Sequence, residues 1–198
     1  DAKNFYFVTT GADPDAGGPV GTQTSRLYKL TFADGVSGEI DYGNGTVTMV
    51  KDSATLLGTD GEKAQKFDNM TVGENGVIII QEDPGGVPYI AKTWKFDPAT
   101  CAWTQIMESG RDRFLTPTAP FSQDEESSGV IEITSILGKN DGKRYYLGDL
   151  QAHYPVSGGL VEGGQLYVMS VPEPETYVML LAGLGLMGAI ARRRNKKL

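Results

Sequence analysis

The chain has one cysteine and one histidine in 198 residues. Cys101 has no internal partner, so no disulfide framework can brace the fold. The same scarcity rules out a zinc centre of the usual Cys/His kind. No G-x-S-x-G elbow, Walker A loop or H-E-x-x-H pair is present. Long amphipathic helical patterns are missing as well. Basic residues are in deficit, with 18 Lys and Arg against 25 Asp and Glu for a net charge of −7. Five of the basic residues and two of the acids lie beyond residue 171, so the body before that point carries −10. Nucleic acid needs basic neutralisation of its phosphates and is excluded as a partner. Divalent cations, or plain solubility, suit such a charge.

What is present is β-structure. Short apolar and β-branched runs alternate with Gly, Asp, Asn and Pro clusters, which predicts strands at 5–10, 26–32, 46–50, 69–72, 77–81, 93–96, 103–107, 130–133, 144–147 and 166–170. Glu74-Asn75-Gly76 reads as a tight hairpin turn. A weak repeat groups the runs. One pass takes 5–10, 26–32 and 46–50, and a second, starting about 72 residues later, takes 77–81, 92–96 and 103–107. The last three runs suggest a third pass. A repeated unit of antiparallel strands is the pattern of propeller blades. The expected fold is all-β: a partial, about three-blade β-propeller over 1–171, half of a six-bladed ring, with a sandwich as the alternative. Three blades alone leave exposed edges, so further chain is expected before Asp1, including the leader that an exported protein needs.

The C-terminal tail, 172–198, differs in kind. Pro172, Glu173 and Pro174 are followed by an uncharged apolar run over 177–191, then by Arg192, Arg193, Arg194, Lys196 and Lys197. As a helix the run spans roughly 22 Å, short of the roughly 30 Å hydrocarbon core, and snorkelling basic residues can make up part of the gap. The basic cluster would stay cytoplasmic and place the body across the inner membrane. Gly183-Leu184-Gly185-Leu186-Met187-Gly188 matches a dinucleotide fingerprint. It has no preceding strand and no room for a βαβ unit, so small residues packing in a membrane helix explain it. Pro-Glu-Pro, short apolar helix and Arg-rich end, in that order, resemble the PEP-CTERM sorting signal of Gram-negative bacteria. The resemblance implies an exosortase partner, transient anchoring in the inner membrane, and delivery to the envelope or extracellular polysaccharide.

Carboxylates concentrate in three predicted loops: Glu82 and Asp83 after the 77–81 strand, the run Asp124-Glu125-Glu126, and Asp149 with His153. Hard oxygen ligands of this kind suit Ca²⁺ or Mg²⁺. Each loop also reads as a solvated acidic turn, and a lone histidine such as His153 is more often structural than catalytic. The stretches around Phe67-Asp68-Asn69-Met70-Thr71-Val72, Gln81-Glu82-Asp83-Pro84-Gly85, Asp124-Glu125-Glu126-Ser127-Ser128-Gly129 and Asp149-Leu150-Gln151-Ala152-His153-Tyr154 resemble the PhoX-type alkaline phosphatase superfamily. That resemblance implies a six-bladed propeller binding calcium and iron, and metal-assisted hydrolysis of phosphomonoesters. The local chemistry of these acidic stretches, together with their place in the resembling blocks, makes Glu82, Asp83, Asp124, Glu125 and Glu126 the candidate metal ligands. The family's N-terminal half, which contributes metal ligands, has no counterpart here. The competing expectation is a non-enzymatic surface propeller of the polysaccharide matrix.

Overall fold

The computed structural model describes residues 2–11, 24–83, 90–114, 125–154, 156–159 and 161–173. Ten strands run in chain order: β1 (Asn4–Thr9), β2 (Arg26–Asp34), β3 (Ile40–Asp52), β4 (Phe67–Val72), β5 (Ile78–Glu82), β6 (Lys92–Asp97), β7 (Ala102–Glu108), β8 (Glu125–Glu132), β9 (Lys143–Ala152) and β10 (Gly163–Pro172). The one described α-helix, α1, is a single turn (Arg111–Phe114). Each expected run falls on one of these strands. They form three antiparallel meanders, β1-β2-β3, β4-β5-β6-β7 and β8-β9-β10. The three passes of the sequence repeat therefore correspond to three sheets, with β4 added at the edge of the second. Among the described residues the sheets remain three separate ladders and close no barrel.

Local chemistry explains the turns and the irregularities. The β4–β5 hairpin closes with Gly73 and Val77 bonded across it and Gly76 at φ +79°, the left-handed conformation that glycine adopts at least cost. β3 is longer than expected. Residues 42–44 bulge out between the Phe32–Gly45 and Ala33–Asp41 pairs, so a Gly-Asn stretch that reads as a turn is carried within the strand.

Period-two alternation assigns the core. β5 is buried on both faces, which is why its Ile78-Ile79-Ile80 run is continuous rather than alternating with polar residues. Ile78 and Ile80 join Leu27, Leu56, Phe67, Trp94 and Phe96 in a cluster against the first sheet. Ile79 points the other way, to Val77, Val130, Tyr146 and Val171 against the third. The four-stranded sheet is thus the middle layer. Its first strand, β4, contacts both β1 and β8, so the first strands of the three meanders adjoin in series. The opposite face of the first sheet carries Phe7 stacked on Tyr28, with Phe32 edge-on to Phe5 and Tyr42.

Candidate functional site

The junction between β4 and β8 gathers the acids. A register shift interrupts β4 between Phe67 and Met70, and another interrupts β8 between Glu126 and Gly129. Irregularities of this type re-aim side chains. Asn69 ties the two together, donating from Nδ2 to the Ser127 carbonyl (3.3 Å) and to Asp68 Oδ2 (2.9 Å). Asp68, Asp83 and Glu126 each bring a carboxylate oxygen to within 4.8 Å of the others. Asp83 follows β5 directly, and its backbone N–H donates to the Lys66 carbonyl. Ser128 Oγ donates to Glu126 Oε1 at 2.6 Å.

The sole histidine borders this trio. His153 Nε2 lies 3.5 Å from Glu126 Oε2, and its Nδ1 lies 3.3 Å from Glu162 Oε1. Glu162 also accepts from Gln151 Nε2 at 2.6 Å. The Gln151 amide and then the His153 ring hold the Glu162 carboxyl below its ordinary range. His153 thus lies between two carboxylates, one beside each ring nitrogen. Asp68 and Glu162 were not candidates from sequence. Asp68 is the second residue of β4, just ahead of the run expected at 69–72, and Glu162 is nine residues from His153, so spacing alone gave neither a role.

The other candidates go elsewhere. Glu82 was expected on a loop at the sheet rim, but β5 continues through it. Strand alternation then turns it to the same side as Ile78 and Ile80. It is 3% exposed, and its two oxygens accept from Trp94 Nε1 (2.7 Å), Gln65 N (3.1 Å) and Lys92 N (3.1 Å). Burial pushes its pKa up to about 7, against those donors and nearby Lys92. Glu125 and Glu126 were also expected on a loop and instead begin β8. Alternation therefore separates them: Glu125 is fully buried, its Oε1 3.4 Å from the Ala91 N–H, while Glu126 reaches the trio. Asp124, Pro174, Arg192, Arg193 and Arg194 lie outside the described residues, as does the expected C-terminal helix. Among the described residues no helix is long and apolar enough to cross a membrane.

Two further features frame the site. Lys92 is a fully buried cation whose Nζ lies 3.2 Å from Asp60, and Arg111 reaches the same Asp60 oxygen at 2.5 Å. This network fastens the segment before β4 onto the middle sheet. A cleft of about 390 Å³ lies beside Arg113, Phe114, Tyr154 and Gln165, and the acid trio does not line it.

The sorting tail meets the body without a linker. Val171 is buried in the core of the third sheet, and Pro172 pairs with Lys143 as the last residue of β10. Glu173 N–H donates to the Gly142 carbonyl, and Arg144 Nε donates to Glu173 Oε1. Comparison with known proteins finds no curated protein and no solved structure that matches the chain. One family model matches, the PEP-CTERM protein-sorting motif, over residues 170–195. The motif marks the chain as an exported protein sorted by exosortase to the envelope or the extracellular space.

Proposed function

We propose that the body is a non-enzymatic surface module, a segment of β-propeller displayed at the envelope or in the polysaccharide matrix and braced by a divalent cation. The observation that carries the reading is the sorting motif at 170–195, which begins inside the last strand of the folded body. Three consecutive meanders whose first strands adjoin support the blade assignment. The bracing cation would sit between Asp68, Asp83 and Glu126, which join the middle sheet to the third. Calcium is the expected ion, because the donors are hard oxygens at a half-open surface. Glu82 and Glu125 take no part in this reading, since both are folded into the core.

The second reading, drawn from the phosphatase resemblance, is a calcium- and iron-dependent phosphomonoester hydrolase. Its support is His153, which lies beside Glu126 of the trio and has Glu162 beside its other ring nitrogen. One experiment separates the two. The full chain is assayed on a generic phosphomonoester with calcium and iron, and its melting temperature is followed across a calcium titration. A calcium-dependent rise with no turnover fits the surface module. Turnover that disappears in Glu126→Gln would replace it with the hydrolase, and a melting temperature indifferent to calcium would remove the bracing ion.

A further inference from the structure

The residues that the sorting motif shares with the body are not a free tether. Its first matched residues, Ser170, Val171 and Pro172, are the end of β10 and pair with Tyr145, Arg144 and Lys143 of β9. The Val171 side chain is 6% exposed, packed with Val77, Ile79, Val130 and Tyr146. Beyond the strand, Glu173 adds one more ladder bond, from its N–H to the Gly142 carbonyl. Its carboxylate is taken by Arg144, whose Nε donates to Oε1. The Arg144 guanidinium is itself held in place, with Nη1 3.2 Å from both Glu132 Oε1 and Glu74 Oε2. Glu132 Oε2 in turn accepts the Glu74 N–H at 2.7 Å. Arg144 is thus fixed from the body side and spends one face of its fork on the sorting glutamate.

From this we infer that Arg144 clamps Pro172 and Glu173 to the third sheet, so that the folded body competes with the processing enzyme for its own sorting motif. An enzyme that reads Pro172-Glu173-Pro174 as extended chain must first peel off the end of β10. Cleavage is then slow on the folded body and fast before the third sheet closes. The inference rests on the motif assignment, and its test separates the two.

The test uses the full chain in membranes of a host carrying the processing enzyme, with cleaved and intact forms quantified over time. Arg144→Ala leaves the motif unchanged and removes the clamp, so cleavage should accelerate by about fivefold or more, the scale of one charge-assisted hydrogen bond. Arg144→Lys, which keeps the charge without the fork, should fall between. The opposite arm is a lock. Ser170 and Tyr145 face each other as a cross-strand pair, and Ser170→Cys with Tyr145→Cys, in a Cys101→Ser background, can bridge β9 to β10. The oxidised lock should be cut more slowly than its background protein, and reductant should restore the rate. Equal rates in the clamp and lock variants, with wild type still cleaved, would overturn the clamp and leave the sorting assignment standing. If wild type itself is never cleaved, the sorting assignment fails and the clamp falls with it. Where Arg144→Ala proves unfolded by its melting curve, the lock arm decides alone.

Discussion

Trp94 donates its indole N–H to Glu82 at 2.7 Å inside the cluster that joins the first and middle sheets. The same carboxylate also accepts the Lys92 and Gln65 backbone N–H groups, so one side chain satisfies three donors on two segments. Removing it strands all three in an apolar surround. Glu82→Ala is expected to destabilise the body by about 3 kcal/mol or more, from lost acceptors plus a cavity. Glu82→Gln retains one acceptor oxygen but turns an N–H₂ toward a donor, and should cost roughly half as much. Urea unfolding of the two variants checks the order. Equal stability of Glu82→Ala and wild type would refute the assignment of Glu82 as a core acceptor.

The same group sets a pH dependence. Its ordinary value is 4.5, and burial pushes it up to about 7 in the folded body. Between these values the folded state binds more protons than the unfolded chain, so stability declines as pH rises. The contribution is complete below about pH 4.5 and is lost through about pH 7, on the order of 3 kcal/mol in all. Glu108 and Asp97 act in the opposite sense: Arg111 holds the first, and Thr100 the second, below the ordinary carboxylate range. Their stabilisation is lost as pH falls through the acid range. The body should therefore be most stable in the mildly acidic region. The slope between pH 5 and 7.5 should be much reduced in Glu82→Gln, as chemical denaturation at several pH values would reveal.

The middle layer makes a third expectation. Ile79 and Ile80 are adjacent and both fully buried, yet they belong to different clusters. Each truncation to alanine should cost about 3 kcal/mol. Their effects on neighbours should separate by sheet. Ile80→Ala should raise hydrogen exchange in β2 and β6, whereas Ile79→Ala should raise it in β8 and β10. Loss of protection in one common set of strands would contradict the layered arrangement.

Much of this architecture is legible in the sequence. Strand chemistry located all ten elements, and the repeat grouped nine of them into the three meanders, leaving out β4. What escaped was the fate of individual acids, and the reason lies in where strands begin and end. Glu82 reads as loop because it is a charge at the end of the apolar 77–81 run, yet it continues the series Ile78 and Ile80 and so inherits their core-facing side. Glu125 and Glu126 looked like one repulsive run, and the onset of β8 sends them to opposite faces. Asp68 was unremarkable in sequence because only a register shift in β4, itself a product of pairing with β5, aims it at Asp83. Alternation is readable, but the residue at which it starts depends on tertiary pairing.

The acid trio supplies the last prediction. Asp68, Asp83 and Glu126 bring three carboxylates within 4.8 Å of one another, so each charge raises the electrostatic cost of the other two. Asp68→Asn removes one of the three charges at its most exposed member, so in chelator it should melt about 1–3 °C above wild type. With excess calcium the order should invert. Wild type gains stability from an ion that binds only the folded state, and the variant, one charged ligand short, gains less. Glu126→Gln should lose most of the calcium increment, because among the described residues its carboxylate is the third sheet's contribution to the trio. Glu82→Gln should keep that increment in full, since its oxygens are occupied by backbone and indole donors. A crossing of the wild-type and Asp68→Asn melting temperatures between chelator and calcium is therefore the signature of a cation joining two sheets. Parallel curves at all calcium levels would mean that the three carboxylates meet without binding one.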